Sequence, residues 1–286
     1  MPYRVQHGKR FKLRDFNPAD TQGLDLEAQA DNLLKQGIAR LSDLQEKLYA
    51  QDRWALLLIF QAMDAAGKDS AIRHVMSGVN PQGCQVYSFK QPSAEDLSHD
   101  YLWRAVKSLP ERGHIGIFNR SYYEEVLVVR VHPPLLSNER IPPSLVTKRV
   151  WRERFDDLVA FENYLHRNGT VIRKFFLNVS KQEQKQRFLK RLDEPDKNWK
   201  FAESDVRERE QWDAYMDAYD DMIRHTATKQ APWFVAPADN KWFTRLVVAS
   251  VVIDTLDSLK LAYPKVGKDK QKELDSARKL LDAESV

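Results

Sequence analysis

The stretch Trp54-Ala-Leu-Leu-Leu-Ile-Phe-Gln-Ala-Met-Asp-Ala-Ala-Gly-Lys-Asp-Ser70 decides how this chain is read. Its first seven residues, ending at Phe60, are a short unbroken apolar run, the pattern of a strand buried on both faces of a parallel sheet. Small and polar residues follow, and then a helix-like segment over 69–77. Strand, small-residue loop and helix together are the setting in which backbone amides and a helix N-terminus hold an anionic phosphate. Gly67 and Lys68 fit the Gly-Lys step of such a loop, with Lys68 as a mobile point charge. The match to G-x-x-x-x-G-K-[ST] is broken twice. Ala62 stands in place of the first glycine, and Asp69 stands where a metal-binding Ser or Thr is expected. Asp64 places an additional acid inside the loop. The same residues also fit an ordinary turn carrying an exposed lysine.

Outward from this stretch the period keeps switching. Before it, Leu33, Leu34, Ile38, Leu41, Leu44 and Leu48 recur at three- and four-residue steps, which predicts an amphipathic helix over 26–50. After it, His114-Ile-Gly-Ile-Phe118, Val171 to Val179 and Trp233 to Ala236 read as further strands. Helical stretches are expected at 93–108, 142–168, 180–192, 205–228 and 240–262, the first opening with Ser93 and Asp96 in capping-box spacing. Strands alternating with helices give an α/β fold with a mostly parallel sheet. No repeat and no Gly/Ser or Pro linker divides the chain, so residues 1–286 are expected to form one domain. Residues 1–25 read as an irregular arm, and residues 265–286 as a charged peripheral helix or frayed tail.

Composition narrows the class. The 286 residues are 42% hydrophobic, enough for a sizeable core. Charge is high but balanced, with 45 Lys+Arg against 41 Asp+Glu, net +4. That excludes a charged-tail protein and sequence-wide disorder. The single cysteine, Cys84, cannot form an intrachain disulfide or a cysteine zinc site. No apolar run reaches the ~20 residues that span a bilayer, and Met1 to Lys12 lacks a signal-peptide apolar stretch. The expectation is a soluble cytoplasmic protein that does not engage membranes. The histidines show no ligand spacing, and Trp212, Tyr215 and Tyr219 at helical spacing are expected to be packing residues.

Two further segments bear on chemistry. In Ile117-Phe-Asn-Arg-Ser-Tyr-Tyr-Glu-Glu-Val126 a strand ends in Asn119-Arg120, and two carboxylates, Glu124 and Glu125, arrive a turn later. Neighbours on a helix point roughly 100° apart, so only one of the two can face a site. The alternative is an ordinary strand-to-helix turn with solvated glutamates. The other segment is basic: Lys185, Arg187, Lys190, Arg191, Lys197 and Lys200 surround Pro195, where a helix ends and a mobile loop begins, and Arg207 and Arg209 follow. Lys148, Arg149, Arg152 and Arg154 form a second basic cluster, with Lys148 and Arg152 on one helical face. Each cluster alone reads as a solvated face; beside a phosphate loop the two suggest a polyanionic ligand. No zinc finger or aromatic RNA-binding motif supports nucleic acid as that ligand.

Taken together, Met63-Asp-Ala-Ala-Gly-Lys-Asp69, Phe118-Asn-Arg-Ser-Tyr-Tyr-Glu-Glu-Val126 and Arg191-Leu-Asp-Glu-Pro-Asp-Lys-Asn-Trp-Lys-Phe201 resemble polyphosphate kinase family 2, over about residues 25 to 262. The resemblance implies a P-loop kinase-like parallel sheet sandwiched by helices, similar to thymidylate kinase, with a helical lid at about 191–210. It implies phosphoryl transfer between inorganic polyphosphate and nucleotides with Mg²⁺, for which Mn²⁺ is a substitute. By the same resemblance Asp64, Lys68, Arg120 and Glu124 are the catalytic residues. Ala65, Ala66, Gly67, Lys68, Asp69, Arg191, Lys200 and Arg207 bind polyphosphate; Asn119, Arg120, Tyr123 and Glu124 bind nucleotide; Asp64 and Glu124 hold the metal. Asn119-Arg120 followed by Glu124 resembles the third class of the family, whose members accept nucleoside mono- and diphosphates. The partners implied are AMP, ADP and ATP, with guanine nucleotides a further possibility, and a homo-oligomer. Two rivals stay open on the motifs themselves: an ATP-dependent P-loop kinase of a small molecule, and a non-catalytic nucleotide- or polyanion-binding module.

Overall fold

A computed structural model describes residues 2–201 and 203–284, without the side chains of residues 197 and 200. Six strands form one sheet: β1 (Arg4–Val5), β2 (Ala55–Gln61), β3 (Cys84–Ser88), β4 (Ile115–Asn119), β5 (Thr170–Asn178) and β6 (Trp233–Pro237). Their order is β1-β6-β5-β2-β4-β3, with every pair parallel except β1 on β6. The deciding stretch supplies the central strand. Residues Leu56 to Phe60 are at most 1% exposed, as an apolar run covered on both faces requires.

Helices fill the crossovers. They are α1 (Glu27–Gln51), α2 (Lys68–Val75), α3 (Trp103–Val106), α4 (Val128–Val131), α5 (Val150–Arg167), α6 (Lys181–Asp193), α7 (Glu203–Glu208), α8 (Trp212–Thr226), α9 (Lys241–Ser258) and α10 (Lys268–Asp282). α9 packs on α1 and α2, while α5 packs on α8 and β5. Trp212, Tyr215 and Tyr219 are buried in this packing, as expected. No helix among the described residues is long and apolar enough to cross a membrane.

Several boundaries differ from the sequence reading. The expected helix over 93–108 shrinks to a three-residue turn at Asp96–Ser98 and the single turn of α3. The reciprocal bonds of the Ser93–Asp96 cap do form, at 2.9 and 3.1 Å, but the helix they would start stops at Ser98 and resumes only at Trp103. The expected helix over 205–228 is broken at Arg209–Gln211, and α5 starts only at Val150. The N-terminal arm, expected to be irregular, supplies the edge strand β1 and is packed: Tyr3, Val5, Phe11 and Leu13 join the core, and the Leu13 amide donates to Asp220 at 2.6 Å. α10 is wholly exposed, a peripheral helix.

Parallel pairing brings the C-terminal strand ends to one edge: Phe60 lies level with Asn119 and Phe175, and Asn119 with Ser88. That edge is where an open α/β sheet offers a crevice to ligands.

Candidate active site

The loop between β2 and α2 is built to face an anion. Gly67 caps α2 with φ +106°, a conformation that strains any side chain, and Ala65 sits at φ +59°. Five successive carbonyl oxygens are held by the protein itself. Lys68 Nζ donates to Ala62 at 2.8 Å and to Met63 at 3.4 Å. Gln184 Nε2 donates to Asp64 at 2.9 Å, and Arg187 Nη1 to Ala65 and Ala66 at 3.0 and 2.7 Å. Turning carbonyl lone pairs inward removes the groups that would repel phosphate and leaves the positive end of the loop and helix to receive it. Arg187 also donates to the carbonyls of Ala238 and Asp239, at 2.6 and 3.0 Å, joining this loop to the end of β6. In sequence Arg187 is one cation in a basic run; in the structure it is buried and shapes the loop.

Charge gathers at the next strand end. Arg120, at φ +62°, donates to Asp64 at 2.9 Å and lies 3.8 Å from Glu124. Burial opposes its charge, but the carboxylates of Glu124 and Asp64 outweigh that and raise its pKa. Burial lowers the Lys68 pKa, and Arg120 adds to the effect, while Asp64 and Glu124 oppose it. Asn119 donates to Asp69 at 2.7 Å, so Asp69 braces the strand end. Gln61 donates to Glu124 at 2.9 Å, and its own Oε1 is buried without a partner.

The turn carrying Glu124 is a 3₁₀ segment, Tyr122–Val126, and its two acids do face apart. Glu124 points at Gln61 and Arg120. Glu125 is not solvated: it is 4% exposed, accepts from Arg154 at 3.1 Å, and lies 3.8 Å from Arg104. Arg154 also donates to Glu139. Burial pushes the Glu125 carboxyl up to about 7, with the Glu139 carboxylate adding to the rise and Arg154 opposing it. Beneath the turn lies a second buried cluster. Lys174 in β5 reaches Glu162 at 2.6 Å, the Tyr123 hydroxyl at 2.9 Å and the Thr226 carbonyl at 2.9 Å. The hydroxyls of Tyr122 and Tyr123 both donate to Glu162, at 3.0 and 2.7 Å. Tyr123 is therefore corrected from a nucleotide contact to a fully buried support of the turn.

Two cavities meet at Arg120. One, of about 800 Å³, is lined by Asp64, Ala65, Gly67, Lys68, Asp69, Asn119 and Arg191 among others. The other, of about 590 Å³, is lined by Phe89, Tyr101, Val128, Val129, Leu135 and the acids Glu124 and Glu125, with Arg120 at its edge. Ala66 is buried beneath the loop and lines neither. Arg207 is exposed and paired with its helix neighbour Glu203 at 2.7 Å, away from both cavities. The Lys200 side chain lies outside the described residues. The Lys148 cluster does not reach the cavities: Arg149 and Arg152 pair along α5 with Glu153 and Asp156, and Arg154 is the buried partner of Glu125.

Among the described residues no three His, Cys, Asp or Glu side chains gather into a protein metal cage. The two carboxylates on Arg120 fit a different arrangement. A small divalent cation usually takes one or two carboxylates and completes its shell with substrate phosphates and water. Asp64 and Glu124, beside a phosphate loop, match that donor set.

Known proteins agree with this architecture. The solved polyphosphate kinase 2 of Arthrobacter aurescens superposes with a TM-score of 0.88 at 40% identity, covering 96% of this chain and 95% of that one. An ADP-polyphosphate phosphotransferase of Rhodopseudomonas palustris is 51% identical over 98% of this chain and 97% of its own length. An AMP/ADP-polyphosphate phosphotransferase of Meiothermus ruber is 44% identical over 92% and 94%. The family profile described as polyphosphate kinase 2 matches residues 24–264, which takes in the loop, the Arg120 turn and the basic segment. By fold, site and sequence alike, this chain is a member of the polyphosphate kinase 2 family.

Proposed function

We propose that the chain transfers the terminal phosphoryl group of inorganic polyphosphate to AMP and to ADP, giving ADP and ATP. The observation that carries this reading is Arg120, set between a basic cavity at the phosphate loop and a more apolar cavity that suits a nucleoside. An acceptor phosphate oxygen attacks the terminal phosphorus, the bridging P–O bond breaks, and the shortened polyphosphate leaves with the bond's electron pair. Such chemistry asks the protein for alignment and charge neutralisation. Lys68, with Ala65, Gly67 and Asp69 of the loop, holds the donor end; Arg120 spans both reactants. Asp64 and Glu124 would hold Mg²⁺, or Mn²⁺ in its place, which supplies charge neutralisation on the phosphates.

Residues 191–210 act as a lid on the single domain. Arg191 already lines the donor cavity, and closure brings Arg207 and Lys200 to the donor and excludes water. Both relatives' names carry ADP, and the Meiothermus ruber name adds AMP. Glu124 beside Arg120 supports the broader acceptor range.

Purified protein incubated with Mg²⁺, long-chain polyphosphate and either AMP or ADP should yield ADP and ATP. Turnover with ATP and some other acceptor, but not with polyphosphate, would instead make it an ATP-dependent kinase. Binding without turnover would make it a polyanion-binding module.

A further inference from the structure

Gln61 is the last residue of β2 and is wholly buried. Parallel register sets it level with Phe176 of β5, and the carbonyl before it, that of Phe60, accepts from the Arg120 amide at 3.0 Å. Its side chain lines neither cavity, so it does not touch a reactant there. It touches Glu124, which does line one: Nε2 donates to Glu124 Oε1 at 2.9 Å. The amide cannot sit the other way round, because its oxygen would then face a carboxylate oxygen. Among the described residues its own Oε1 has no partner. A buried amide with half its bonding capacity unused weakens a fold. The use that remains for it is the bond to Glu124.

Glu124 has a competing partner. Arg120 Nη1 lies 3.8 Å from Glu124 Oε2, while Arg120 Nη2 already meets Asp64 at 2.9 Å. A carboxylate left free beside a guanidinium closes onto it in a short, two-pronged pair. That closure would occupy both groups with each other. Arg120 would lose its charge for phosphate, and Glu124 its oxygen for a cation. The Gln61 donor prevents it by holding Oε1 from a buried strand position, where the side chain has little freedom to follow.

We infer that Gln61 is a positioning residue of the acceptor site, which keeps Glu124 off Arg120 and thereby sets how well AMP is accepted relative to ADP. The inference deepens the proposed function and rests on Glu124 meeting acceptor phosphate through a cation. AMP brings one phosphate to the transfer point, so its alignment depends on the cation that Glu124 holds. ADP has a second phosphate as a further hold on that cation and on Arg120, and tolerates a displaced carboxylate better. A hydrogen bond to a charged group is worth roughly tenfold or more in an equilibrium.

The test is Gln61→Met, an unbranched side chain of similar length that removes both the donor and the unpartnered oxygen. Glu124→Ala and the double variant complete a cycle. With polyphosphate as donor, Gln61→Met should lower kcat/KM by about tenfold for AMP and about threefold or less for ADP. Its urea midpoint should be no lower than that of wild type. In the Glu124→Ala background the same change should add no more than about twofold. Calorimetry gives a readout apart from turnover: the strengthening of AMP binding by Mg²⁺ should shrink by about tenfold in Gln61→Met. Equal losses on both acceptors, a full loss that persists without Glu124, or wild-type values throughout would each overturn the inference. So would a lowered urea midpoint with an unchanged AMP-to-ADP ratio, which would make Gln61 a structural residue only. A wild type that forms no product from polyphosphate would remove the proposed reaction instead. The calorimetric comparison then still decides Gln61, an unchanged Mg²⁺ effect on AMP binding overturning its role.

Discussion

Replacing Glu125 by glutamine probes the buried acid–arginine cluster under the cavity lined by Phe89 and Tyr101. In the folded chain burial, aided by Glu139 and opposed by Arg154, moves this carboxyl from 4.5 to about 7. Across that window the unfolded chain has released its proton while the folded chain keeps it. Stability therefore falls as pH rises, by about 1.4 kcal/mol per unit. A shift of about 2.5 units amounts to about 3 kcal/mol, fully present below the unfolded value and lost once pH passes the folded one. Glutamine is neutral throughout, and its amide can donate to Glu139 as the protonated acid does. Glu125→Gln should match wild type near pH 4.5 and gain on it steadily to pH 7, by about 3 kcal/mol, with no further change above. Urea unfolding of both proteins at several pH values reads the difference directly. A difference that is flat in pH, or that favours wild type at neutral pH, would refute the protonated, buried Glu125.

Asp64→Ala and Lys68→Ala should each lower kcat by about 10²–10³ or more while circular dichroism stays native; a folded variant keeping above about a tenth of activity removes that residue from the mechanism. Glu124→Asn should cost more activity with AMP than with ADP, since a carboxylate can engage acceptor phosphate only through a cation; equal losses would cancel its part in acceptor breadth. Arg187→Lys keeps the charge but not the fork that spans the Ala65, Ala66, Ala238 and Asp239 carbonyls. It should lower both stability, by about 2 kcal/mol, and kcat, and wild-type values for both would count against the loop account. Charge reversal at Arg191 should weaken polyphosphate binding, with a shallower salt dependence than wild type; unchanged affinity would return Arg191 to the solvated surface.

What the sequence made legible is what neighbours along the chain decide. The run from Ala55 to Phe60 could only be a buried strand, and the loop to Lys68 followed from it. β3 was missed because it is the sheet edge: Gln85, Val86 and Ser88 are exposed, so no unbroken apolar run marks it. The Ser93 cap announced a helix that tertiary packing does not continue. Site residues whose roles depend on distant partners were the least readable. Arg187 meets carbonyls 121 and 122 residues away, and Glu125 meets an arginine 29 residues on. Tyr123 sits in a motif beside the cavity residues Arg120 and Glu124, and only the distant Lys174 and Glu162 show that it faces inward.

The Lys174–Glu162 pair, 0% and 1% exposed, fixes the Glu124 turn to β5, α5 and the end of α8. Opening that turn would withdraw the Tyr122 and Tyr123 hydroxyls from the buried Glu162 carboxylate, at a cost of about 1–3 kcal/mol for each hydrogen bond lost. Its backbone amides should therefore exchange with solvent only when the whole molecule unfolds, whereas those of exposed α7 exchange through small local openings. The floor of the Arg120–Glu124 cavity is thus a rigid anvil, its shape complete once the chain has folded.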